Sequence, residues 1–91
     1  MTEISEVVLD KIMKEKLRFH HNGGALPGGS SVLSARDENG RSWEFNCKSE
    51  GGNFFSLSGP EWRSWASSRV NAKVTLYWEE DEQVYTIRVR N

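Results

Sequence analysis

Asn39-Gly40 stands between two stretches, Val32–Arg36 and Ser42–Lys48, that flank it closely enough to pair. Both residues of the pair tolerate positive φ, which makes them a strong signal for a tight β-hairpin. In the second stretch Trp43, Phe45 and Cys47 fall on one face, and Ser42, Glu44, Asn46 and Lys48 on the other. Gly51-Gly52 supplies the next turn, after which Phe54–Ser58 reads as a third strand. Gly59-Pro60-Glu61-Trp62 then opens a short helix. Proline is tolerated in a first helical turn, Glu61 suits the positive end of the helix dipole, and Trp62, Trp65 and Ala66 form the buried side. Two further alternating strands, Lys73–Glu79 and Val84–Arg90, are joined by the acidic turn Glu80-Asp81-Glu82-Gln83.

The segment ahead of this run reads differently. Ile4, Val8, Leu9, Ile12, Met13 and Leu17 recur at helical spacing, with Lys11, Lys14 and Arg18 on the other side, which predicts an amphipathic helix within residues 1–18. Residues 20–31 hold four glycines and a proline and read as a loop. A single domain over residues 1–91 is expected, mostly β with two helices, with its core in residues 32–90. Five or more strands with one apolar face favour a small open β-barrel, because closure removes exposed edges.

Charge and composition exclude several functions. With 12 basic and 13 acidic residues the net charge is -1, so any polyanion site must come from local clustering of Lys and Arg. The lone Cys47 excludes an internal disulfide, and its alternation with Trp43 and Phe45 points to a buried, inert thiol. No stretch approaches the ~20 apolar residues of a membrane-spanning helix, and the early acids do not fit a signal peptide. His20 and His21, adjacent on an extended chain, point to opposite sides, and no third ligand stands at a familiar metal-site spacing. The glycine turns lack phosphate-loop spacing, and the acidic run Glu79–Glu82 lacks that of a calcium loop. A non-enzymatic role without metal or cofactor is expected.

Asp37-Glu38-Asn39-Gly40-Arg41-Ser42-Trp43-Glu44-Phe45 resembles the D-x-x-G-x-x-W-x-F hairpin of plant B3 DNA-binding domains. Phe55-Ser56-Leu57-Ser58-Gly59-Pro60-Glu61-Trp62 is similar to the stretch that follows it there, and Val70–Tyr77 occupies the place of the family's entry into its last hairpin. The resemblance implies an open pseudobarrel of seven strands and two short helices that sets two loop arms into the major groove. It implies a B3-like module that binds double-stranded DNA in transcriptional regulation, in the nucleus. By position the turn Lys48–Asn53 corresponds to the second arm. Lys48 is then a phosphate contact and Asn53 a phosphate or base-edge contact. The segment holding Arg18, His20 and His21 stands where the first arm is expected. Glu50, inside the second arm, opposes phosphate.

The alternative is a protein-interaction barrel, nuclear or cytoplasmic, whose exposed aromatics among Trp62, Trp65, Tyr77 and Trp78 grip a peptide or partner subunit. Geometry separates the two. DNA requires the Lys48 turn and the His20 loop side by side on a positive surface; diverging arms or an acidic surface favour a protein partner.

Overall fold

A computed structural model of the chain describes residues 1–90. The strands are β1 (Thr2–Val8), β2 (Lys16–His20), β3 (Ser30–Arg36), β4 (Ser42–Gly51), β5 (Phe54–Ser58), β6 (Lys73–Glu79) and β7 (Val84–Arg90), with one helix, α1 (Pro60–Ser67). They form one seven-stranded sheet in the order β1-β6-β7-β3-β4-β5-β2, curled into a nearly closed barrel. Every neighbouring pair is antiparallel except β3 and β7, which meet in parallel over Ala35↔Tyr85 and Arg36↔Thr86.

The hairpin expected at Asn39-Gly40 is present, with Leu33 opposite Phe45 and Ala35 opposite Trp43. Gly40 takes φ 82°, open to glycine at little cost. The Asp37 carboxylate organises this turn: Oδ1 accepts from the amides of Asn39 (2.9 Å) and Arg41 (3.0 Å), and Oδ2 from the indole Nε1 of Trp43 (2.8 Å). Burial pushes the Asp37 carboxyl up, but the bonds from Trp43, Arg41 and Asn39, with the Arg69 charge, outweigh it and hold the group below its ordinary range. The Asp-x-x-Gly-x-x-Trp motif therefore builds the hairpin.

One helix is present where two were expected. Residues 2–8 and 16–20 are strands, and the span between them is a turn in which Asp10 Oδ1 accepts from the amides of Ile12 and Met13, each at 2.9 Å. Tertiary pairing overrides the helical spacing, since β1 and β2 find partners in β6 and β5. Of the supposed helical stripe only Ile4, Leu9 and Leu17 are buried, whereas Val8 is 56% and Ile12 80% exposed.

The core is one cluster. Helix α1 packs on β4 and β5 and buries Trp62, Trp65 and Ala66, all at 0% exposure, with the Phe45 ring meeting Trp62 edge-on at 5.2 Å. Trp62 Nε1 donates to the Met13 carbonyl at 2.9 Å, which ties the β1–β2 turn to the helix. The glycine-rich loop between β2 and β3 buries Leu26 and is held by a hydrogen bond from the Tyr85 hydroxyl to the Ala25 carbonyl. Cys47 is buried, and burial raises its thiol pKa, as its alternation implied.

Candidate nucleic-acid interface

The β4–β5 turn carries three successive residues in the left-handed region, Gly51 (φ 82°), Gly52 (φ 61°) and Asn53 (φ 63°). Two glycines and an asparagine are the residues for which that region costs least. The turn is anchored from outside its own hairpin. The amide of His21, just past the end of β2, donates to the Asn53 carbonyl at 2.9 Å, and the Ser49 amide donates to Gly29 at 2.8 Å. The end of β2, the end of the glycine-rich loop and the Lys48 turn thus share one rim.

Strand register fixes what faces outward there. Lys48 lies opposite Ser56, and Ser56 opposite Arg18, so the two cations stand in one row across β4, β5 and β2, about 10 Å apart at two strand spacings. Lys16 lies two residues along β2 on the same face. At the rim His20 pairs with Phe54, their rings 5.1 Å apart, and the Arg18 guanidinium lies 5.2 Å from the Phe54 centroid. Phe54 is 40% exposed.

Glu50 sits among these cations. The register slips between Ser49 and Gly51, which makes Glu50 the extra residue of a β-bulge. Its carboxylate meets Lys16 Nζ at 3.0 Å and Arg18 Nε at 3.6 Å, and its side chain is only 17% exposed. The Ser56 hydroxyl and the Lys16 ammonium hold the Glu50 carboxyl below its ordinary range. Ser56, though on the outer face, is buried to 1% exposure.

At the Lys48 end of this face three cations, Lys16, Arg18 and Lys48, against one anion, Glu50, give +2, and a chain of net charge -1 therefore carries -3 elsewhere, Glu44 at the far end of β4 included. Much of that excess lies in the β6–β7 turn, where Glu82 pairs with Arg36. Arg36 and Lys48 sit at opposite ends of the β3–β4 ladder, whose outermost pairs are six residues apart, roughly 20 Å. Charge is therefore segregated along the barrel.

Of the five residues expected to contact DNA, Arg18, His20, Lys48 and Asn53 are exposed on this face or its rim. His21 is half-buried and packs over Gly23, where an added Cβ would lie 2.8 Å from the imidazole Cε1. Lys11 and Lys14 lie in the β1–β2 turn and do not extend a stripe from Arg18. Lys16, Phe54 and the inward lean of Glu50 were missed. The alternation Lys16-Leu17-Arg18-Phe19-His20 was the available signal for the first. Trp62 and Trp65 are wholly buried and unavailable to a partner, and Trp78 packs on Tyr85 at 4.8 Å.

The barrel, its one helix and the rim of two adjoining arms define the class: a B3-like pseudobarrel. Among solved structures the chain is similar to an Arabidopsis FUS3–DNA complex, in which the protein is a plant B3 domain, with a TM-score of 0.69 and 11% sequence identity, over 98% of this chain and 97% of that one. No protein-family model and no curated protein sequence matches the chain.

Proposed function

We propose that this protein is a DNA-binding module of B3-like type, acting in transcriptional regulation in the nucleus, that engages double-stranded DNA through the face of β2, β4 and β5. The observation that carries the reading is the tie between the two arms. The His21–Asn53 hydrogen bond holds the end of β2 beside the Lys48 turn, and the outer face there is positive on a chain that is negative overall. The FUS3 structure, with the same fold, comes from a complex with DNA. In this reading Lys16, Arg18 and Lys48 meet phosphates, while Asn53, His20 and Phe54 at the rim face the bases of the major groove. The backbone amide of His21 holds the Asn53 turn beside the end of β2.

Titration of a random-sequence duplex against salt tests it. A net local charge of two gives a slope of log K against log salt near -1.8, and so a loss of about twelvefold between 50 and 200 mM. Lys48→Ala is expected to bring the slope to about -0.9 and to weaken binding about 15-fold at 50 mM. No binding at 50 mM, or a Lys48→Ala variant indistinguishable from the native protein, refutes the reading.

A further inference from the structure

Glu50 is the one acidic side chain drawn into the basic face, and three features put it there. The bulge re-aims it, the left-handed run Gly51–Asn53 fixes the backbone that follows, and the buried Ser56 lies beneath it. Nothing in the core requires a carboxylate at this place. Lys16 is 53% exposed and Arg18 60%, so both would be solvated without it. Because both cations are more than half exposed, their pairing with the less exposed Glu50 adds little stability. Here one carboxylate instead touches two cations of the same face, while Lys48, in the same row as Arg18, lies two strand spacings away on β4.

We infer that Glu50 is a selectivity-determining residue: an internal counter-charge that occupies Lys16 and Arg18 and suppresses binding to polyanions that offer nothing but phosphate. The inference rests on the DNA-binding reading and adds a regulator of affinity to it. A duplex approaching this face displaces no full set of counterions, because one protein carboxylate already takes the place of a phosphate. Indiscriminate affinity falls accordingly. Contacts at the rim, from Asn53, His20 and Phe54, are left as a larger share of the total, which favours sequences that complement them. Glu50 is thus a brake on charge-driven binding.

The test is Glu50→Gln, which keeps the shape and removes the charge, measured with the same random-sequence duplex by fluorescence anisotropy. Releasing one charge raises the number of phosphates neutralised from two to three. The slope is then expected to steepen from about -1.8 to about -2.7, with affinity rising about 15-fold at 50 mM salt and about fourfold at 200 mM. Glu50→Ala should show the same steepening, and thermal unfolding of both variants establishes that the barrel is intact. Glu82→Gln, with an identical change in net charge at the far end of the β3–β4 ladder, should leave the slope unchanged. An unchanged or shallower slope in both Glu50 variants, while the native protein still binds in a Lys48-dependent way, overturns this inference alone. An equal gain in Glu82→Gln also overturns it, because net charge would then explain the effect. Absence of binding by the native protein at 50 mM salt overturns the DNA reading and this inference with it.

Discussion

Asp37→Ala removes the acceptor on which the β3–β4 turn is built, and its cost can be worked from the structure. The carboxylate accepts three hydrogen bonds, two from the amides of Asn39 and Arg41 and one from the Trp43 indole. Asn39 and Arg41 are exposed, so their amides can turn to water, and together their bonds are worth about 1 kcal/mol. Trp43 is 7% exposed, and its orphaned Nε1–H costs about 2 kcal/mol, as expected for a buried donor that has lost a charged acceptor. The sum, about 3 kcal/mol, is a large part of the roughly 5–14 kcal/mol that a domain of this size commands. In urea the midpoint should fall by about 2 M with the slope m unchanged. The pH dependence follows from the depressed carboxyl. A group whose folded pKa lies below its unfolded value of 3.8 stabilises fully above that value, and loses the contribution as pH falls through the folded pKa. The gap between native protein and variant should therefore be widest above pH 5 and shrink as the solution is taken down to pH 2. A loss under about 1 kcal/mol, or a gap that does not narrow in acid, would show that the carboxylate is not organising the turn.

Asn53→Gly keeps the left-handed turn and removes the side chain, so it should weaken specific DNA binding with the melting temperature nearly unchanged. Asn53→Val should instead lower stability by about 1–2 kcal/mol, read by chemical denaturation. Phe54→Ala should reduce affinity roughly fivefold at every salt concentration, the worth of burying about 40 Å² of ring, and leave the salt slope where it was in the same titration. Trp62→Ala removes the largest buried group where helix α1 packs on the sheet and should cost about 3–5 kcal/mol in urea unfolding.

The fold is legible in the sequence where a local pattern and a local turn agree. The Asn39-Gly40 hairpin, the strand Phe54–Ser58, the Pro60 helix start and the last hairpin all stand where alternation and turn chemistry put them. At residues 2–20 it is not, for a physical reason. Strand β1 buries only Ile4, which leaves no alternation to see, and its partner β6 lies about seventy residues away. The apolar residues of β1, the turn and β2 then happened to line up at helical spacing. Lys48 and Asn53 were legible because the glycine turn between them is local. Phe54, Lys16 and the inward placement of Glu50 depend on how β5 aligns with β2, about forty residues earlier in the chain, and on a bulge. Neither is written in any short window.

The barrel has one narrow seam. Strands β3 and β7 meet over just two residue pairs, so the three-stranded ribbon β1-β6-β7 and the four-stranded ribbon β3-β4-β5-β2 are joined more loosely than either is within itself. The end of β2, the Lys48 turn and the helix that packs on β4 and β5 all belong to the second ribbon. The two-pair seam is therefore the thinnest stretch of backbone ladder in the sheet, and amide exchange should be faster across it than within either ribbon.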